Sequence, residues 1–143
     1  MGIFGNLFGS KKLTVTDPDF GGIKSFHTRG NTVCWKLTRM VLGFDIEIIA
    51  TGDQNGISEI QRQILIKALN NETELKADSE KALQQQFENA EMEFISIEKH
   101  FDLKAISVND EGFEISYQEK EGQNYYFNVQ FENYKQIGVS IDG

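Results

Sequence analysis

The order of hydrophobic patterns along the chain constrains its fold more than any single residue does. Alternating, strand-like stretches come first, two stretches of helical spacing follow, and four more alternating stretches close the chain. Residues 13–16 read as a short strand, and Asp17-Pro18-Asp19-Phe20-Gly21-Gly22 as a turn in which Pro18 fixes φ and the glycines admit positive φ. Residues 23–28 form a second strand, and Arg29-Gly30-Asn31 a tight turn. Val33, Trp35 and Leu37 then alternate with Cys34, Lys36 and Thr38. After a turn near Gly43, Phe44, Ile46, Ile48 and Ala50 face one side, and Asp45, Glu47 and Thr51 the other. These runs predict an antiparallel meander with one wet face.

The pattern changes after Thr51-Gly52-Asp53-Gln54-Asn55-Gly56. Ser58-Glu59-Ile60-Gln61 has the form of a capping box and predicts a helix start. Ile57, Ile60, Ile64 and Ala68 follow helical spacing, widened by Leu65 and Leu69, and Asn70-Asn71 ends the run. A second helix is expected from Asp78 or Ser79, with Ala82, Leu83, Phe87, Ala90 and Phe94 as its apolar stripe and Glu80, Gln84, Glu88 and Glu91 opposite. Residues 94–101 read equally as a continued helix or a strand. Asn109-Asp110-Glu111-Gly112 and Lys120-Glu121-Gly122-Gln123-Asn124 predict hairpin turns. Phe113, Ile115 and Tyr117 share a face; so do Tyr125, Phe127, Val129 and Phe131, then Ile137, Val139 and Ile141. The expected fold is α+β: an antiparallel meander, two helices, then a second antiparallel meander, with the helices packed on one sheet face.

At 143 residues, with 39% hydrophobic residues and 11 phenylalanines, the chain suits one globular unit with a real core. Residues 1–12 read as a short N-terminal extension and 13–143 as a single α+β domain. Cys34 has no intrachain partner, so no disulfide framework is expected and a cytoplasmic location is the default. No apolar run approaches the ~20 residues of a spanning helix. The net charge of −8 is uneven: residues 1–70 carry eight Lys/Arg against six Asp/Glu, and residues 71–143 six Lys against sixteen Asp/Glu. That acidic second half repels phosphates, which disfavours DNA or RNA, and suits a basic protein partner. Solubility alone also accounts for an acidic surface.

Chemistry-bearing patterns are sparse. His27 and His100 are the only imidazoles, and neither lies in a catalytic motif. Cys34 is expected near His27 across the first hairpin, as a small half-buried thiol beside an ordinary histidine. Two histidines and one cysteine do not supply a zinc set. Asp53-Gln54-Asn55-Gly56 lacks the ligand alternation of a calcium loop, and no Gly-Lys-Ser/Thr phosphate loop occurs. No cofactor is expected. Trp35 alternates with Val33 and Leu37 and belongs to the core. Tyr126 falls opposite Phe127 in register and should face outward, where it can contact a partner.

Four segments together carry a family resemblance: the turn Asp17-Pro18-Asp19-Phe20-Gly21, the strand with Trp35, the helix opening Ile57-Ser58-Glu59-Ile60-Gln61, and the ending Gly138-Val139-Ser140-Ile141-Asp142-Gly143. From about Leu13 to the end, this layout resembles small bacterial domains of unknown function, some of them suspected immunity proteins of bacterial toxin systems. Some of those domains have a histidine before the closing strand, where this chain has Tyr134-Lys135-Gln136. The resemblance implies a bacterial, cytoplasmic, single-domain protein and assigns no residue roles.

The reading favoured by the sequence is a non-enzymatic protein-binding domain, in its sharper form an immunity-type inhibitor. In that form Glu88, Glu91, Glu93 and Glu98 face a basic toxin surface, and Tyr126 contributes from the sheet. The alternative is a small-ligand-binding or enzymatic domain with a pocket between sheet and helices. A third reading is weak membrane-surface contact through Ile3, Phe4, Leu7, Phe8, Lys11 and Lys12.

Overall fold

The computed structural model describes residues 12–143. The N-terminal extension, and the membrane-contact reading that rests on it, fall almost wholly outside them. The chain runs β1 (Thr14–Asp17), β2 (Gly21–Arg29), β3 (Thr32–Val41), β4 (Phe44–Asp53), β5 (Gly56–Ile57), α1 (Glu59–Leu69), α2 (Glu72–Asn89), α3 (Ile97–His100), β6 (Phe101–Val108), β7 (Gly112–Glu119), β8 (Tyr126–Glu132) and β9 (Lys135–Asp142). The strands join in one nine-stranded sheet of order β1-β2-β3-β4-β6-β7-β8-β9, with β5 added to β4. Each meander is antiparallel because short hairpins reverse the chain. The long excursion through the helices instead returns it in the same direction, so β4 and β6 pair parallel, Ile48 opposite Ile106. The architecture is the α+β class that the pattern order predicts.

Alternation sets which face is dry. Ile23, Trp35, Ile48, Ile106, Ile115 and Val129, one from each of six adjacent strands, point into a shared core. The helices cover that face, α1 over β6 and β7, and α2 over β8 and β9. The other face carries Lys24, Lys36, Glu47, Ser116 and their neighbours, and none of the described helices packs on it.

Polar residues take two positions that periodicity assigns otherwise. Ser58 caps α1, its Oγ accepting from the Gln61 N–H at 3.3 Å. The Gln61 side chain does not complete a capping box. It is buried, accepts from the Thr51 N–H at 2.7 Å, and donates to Thr51 Oγ1 at 2.7 Å and Asp110 Oδ1 at 2.9 Å. That anchor rotates Ile60 out to 60% exposure, so the buried stripe is Gln61, Leu65 and Ala68. The second helix starts at Glu72, six residues before Asp78, because Leu75 already anchors its first turn and Glu72 and Glu74 complement the dipole there. Its stripe holds Ala82, Leu83 and Phe87, while Ala90 is an exposed cap. Glu91 at φ 57° then turns the chain, and residues 94–101 become an extended link, the single turn α3 and the first residue of β6.

One ionic cluster ties α1 to the β1–β2 turn. Arg62 Nη1 donates to Asp17 Oδ1 at 2.6 Å and to Asp19 Oδ2 at 3.1 Å, and Asp17 Oδ1 also accepts from the Asp19 and Phe20 N–H groups. Burial pushes the Asp17 carboxyl up, but Arg62 and the two N–H groups outweigh it and hold the carboxyl below its ordinary value. A carboxyl lowered on folding contributes stability that is fully present above its unfolded value. That contribution is lost as pH falls through the folded value, here below about pH 4. Arg62→Met leaves a buried carboxylate with only its backbone donors. The expected cost is about 2–3 kcal/mol at pH 7, less than the loss at a fully dry pair. Urea midpoints at pH 7 and pH 3 check this: the wild type should lose its advantage over the variant at the lower pH, and an undiminished gap would refute it.

Candidate functional site

Of the described strands, the last one alone has no buried residue. Among the described residues β9 pairs only with β8, and no other described strand bonds its outer row of N–H and C=O groups. Soluble proteins guard such edges with short strands, interior charges or proline. The opposite edge, β1, follows that rule at four residues. β9 is eight residues long, none of them buried, and its charges sit at the ends, Lys135 and Asp142. Between them runs Gln136-Ile137-Gly138-Val139-Ser140-Ile141, uncharged and strand-prone. A bulge where Gln130 and Phe131 meet β9 leaves Ile137 without a partner residue. The shared face expected for Ile137, Val139 and Ile141 is therefore broken: Ile137 is 55% exposed, and Ile141, at the margin of the helix-covered face, is 47% exposed.

Side chains on the open face fix β9 in place. Ser116 Oγ donates to Asn128 Oδ1 at 2.8 Å, and Asn128 Nδ2 donates to Asp142 Oδ2 at 2.7 Å and to Ser140 Oγ at 3.4 Å. Asn128 is buried in this chain across β7, β8 and β9, so its amide is satisfied and the register is specified. Tyr126 stands beside it, opposite Gln118 and Asp142, and is 39% exposed on the open face as its register predicts. At the hairpin into β9, Asn133 and Tyr134 both have positive φ, 52° and 62°. Lys67 Nζ, 4.1 Å from the Tyr134 ring centroid, and the Phe113 ring hold the strained tyrosine there.

The acidic residues do not form one patch with Tyr126. Glu88 lies on exposed α2, and Glu91 and Glu93 on the exposed link that follows, interleaved with solvent-facing Met92 and Ile95. Glu98 is drawn away into an ion pair with Lys76 on α2, whose ammonium holds the Glu98 carboxyl below its ordinary value. Tyr126 is on the face opposite the helices. What the structure adds is that α2 packs over β8 and β9, so its acidic outer surface borders the free edge.

His27 and Cys34 are cross-strand partners on β2 and β3, with Cys34 half-buried, as the hairpin reading expects. His100 is packed against Phe87 and Phe94, and its Nε2 accepts from the Ile95 N–H at 3.0 Å. Among the described residues no group of three or more His, Cys, Asp or Glu is placed to hold a metal ion, and no helix is long and apolar enough to cross a membrane. No protein-family model, no curated protein and no solved structure matches the chain.

The β9 edge is the feature that sequence reasoning missed. Its signal is the six uncharged residues between Lys135 and Asp142 at the end of a meander. Alternation alone makes those residues look like core.

Proposed function

We propose that this chain is a cytoplasmic bacterial protein-binding domain without enzymatic activity, which takes an extended segment of its partner along β9. Its specific form is an immunity-type inhibitor of a basic toxin. The observation that carries this reading is the eight-residue edge strand whose six central residues are uncharged and whose outer side no described strand covers. In strand addition, main-chain hydrogen bonds supply affinity and alternate side chains supply specificity. Ile137 and Ile141 offer apolar contacts on such a strand, and Tyr126 lies one strand in. The acidic surface of α2 beside the edge, with Glu88, Glu91 and Glu93 at its end, attracts a basic partner and speeds encounter.

The test compares wild type with Ile137→Lys/Ile141→Lys. Both residues are about half exposed, so the fold should lose no more than about 1 kcal/mol. A lysine-guarded edge should lose a stoichiometric partner that the wild type retains in a pull-down. Glu88→Lys/Glu91→Lys should weaken the same complex, and by less at high salt. A partner held equally by wild type and the edge variant rules out β9. Sedimentation of the purified chain separates the rival outcome, self-pairing of two β9 edges, from binding of a different protein.

A further inference from the structure

The charge split along the sequence becomes a split in space. Residues 12–41, which form β1, β2, β3 and their turns, carry Lys12, Lys24, Arg29, Lys36 and Arg39 against two acids, Asp17 and Asp19. Arg62 takes both acids, and none of the five cations, all exposed, forms an ion pair among the described residues. Lys24 and Lys36 stand directly opposite each other on the open face, a like-charge pairing that disfavours the sheet until an anion relieves it. Glu47 on β4 shares that face, opposite Thr38, and pairs with neither lysine. Phe26, in the bulge on β2, is 41% exposed, and its ring centroid lies 5.7 Å from Lys36 Nζ, which puts the ring on the same face. The chain joins this corner at Leu13, whose carbonyl accepts from the Ser25 N–H at 2.9 Å. The segment before Lys12 is therefore tethered beside Lys24 and Phe26. Its Ile3, Phe4, Leu7 and Phe8 lie outside the described residues, and their sequence spacing is that of one helix face.

We propose that this corner of the open face, with the apolar segment that leads into it, docks on an anionic lipid bilayer. The cations face the headgroups, and the apolar side chains enter the interface beside them. A short apolar segment alone attaches weakly, and a basic surface next to it supplies the second signal that stable attachment needs. Each Lys or Arg held near an anionic leaflet strengthens binding about fivefold. A nucleic acid would engage the same cations but leave Phe26 and the four apolar residues with nothing to bury against, so the composition of the corner favours the bilayer. The net charge of −8 does not oppose this orientation. The acidic helix α2 lies on the other face, over β8 and β9. The edges β1 and β9 are about 34 Å apart at the usual strand spacing, several times the screening length of about 8 Å at physiological salt. The corner is at the opposite edge from β9, and it stands independently of the strand-addition reading.

The experiment sediments the full chain with vesicles of phosphatidylcholine alone and of phosphatidylcholine mixed with an equal share of phosphatidylserine. The mixed vesicles should bind at least about tenfold more tightly, and less so as salt is raised. Lys24→Glu/Lys36→Glu should weaken that binding at least about tenfold. Its thermal midpoint should match the wild type, because both residues are exposed and the opposed pair is like-charged before and after. Lys81→Glu/Lys99→Glu makes the same change in net charge at exposed positions on α2 and α3, and should bind within about twofold of the wild type. Phe4→Asp/Phe8→Asp should weaken binding about tenfold. The proposal is overturned by equal or absent binding to the two kinds of vesicle, or by a loss that Lys81→Glu/Lys99→Glu reproduces. A DNA duplex bound more tightly than the mixed vesicles, with no effect of Phe4→Asp/Phe8→Asp on either, would overturn it in favour of a nucleic acid.

Discussion

Trp35→Ala should lower the stability of the fold by about 3–5 kcal/mol, a large part of what a domain of this size has. Trp35 is fully buried at the centre of β3, and its cross-strand neighbours are Ser25 on β2 and Ala50 on β4. The large ring fits because both flanking positions are small. For the same reason truncation leaves a hole that neither neighbour can fill. The indole Nε1 also donates to the Asp53 carbonyl at 2.9 Å, tying β3 to the end of β4, where the chain turns toward α1. Trp35→Phe keeps most of the ring volume and loses that bond, so it should cost about 1–2 kcal/mol. Urea unfolding followed by circular dichroism checks both variants, since the only tryptophan is lost as a fluorophore. The midpoint of Trp35→Ala should fall by more than about 1 M. A fall no larger than that of Trp35→Phe would mean that the site collapses around alanine, and that Ser25 and Ala50 do not define a rigid slot.

The fold was legible where one face of an element is uniformly apolar. β3, β4 and β7 alternate cleanly, and Trp35, Ile48 and Ile115 are where period two puts them. The adjacency of His27 and Cys34 followed from the length of the first hairpin. Errors arose where a polar side chain is buried. The spacing places the start of the second helix at Asp78 or Ser79, but a serine there need not be a cap. In the structure Ser79 is a fully buried residue in the middle of α2. Gln61 resembles the second half of a capping box, yet its amide reaches Thr51 and Asp110 across the fold. Neither role can be read from hydropathy, because the partners are distant in sequence.

The candidate site was less legible for a different reason. Periodicity says which residues share a face and nothing about the order of strands within a sheet. The free edge at β9 depends on that order, and the exposure of Ile137 on a bulge that breaks the period. The outward placement of Tyr126 is legible because it depends on alternation alone. The acidic residues stand out by composition, which cannot see that Lys76 takes Glu98 out of the set. The same holds for Tyr117: the tyrosine reads correctly as core, and the approach of its buried hydroxyl to Ser79 appears only once α2 is packed above it.

The glycines allow a sharper separation of turn chemistry from space. Gly112→Ala should destabilise by about 3 kcal/mol, the upper end of the range for overpacking. Gly112 closes the turn expected at residues 109–112, and its N–H donates to Asn109 Oδ1 at 2.7 Å. That location suggests a residue chosen for positive φ, but Gly112 is not in the left-handed region. It matters because it opens β7 opposite Glu132, where an added Cβ would lie 1.9 Å from the Phe131 carbonyl oxygen and 2.9 Å from its carbon. Both atoms are backbone and cannot rotate aside. Any shift must part β7 from β8, where the Phe113 and Phe131 rings stack with centroids 4.9 Å apart. Gly22 is the control: it also lies outside the left-handed region, and an added Cβ there meets nothing within 4 Å. Gly22→Ala should therefore be neutral or stabilise by about 0.5 kcal/mol through the unfolded chain. Thermal unfolding of the two variants decides the matter. If they shift the midpoint equally, backbone entropy governs both sites. If Gly112→Ala alone falls, the β7–β8 contact has no slack, and the register that carries Tyr126 and the β9 edge is fixed by close backbone packing as well as by the Asn128 ladder.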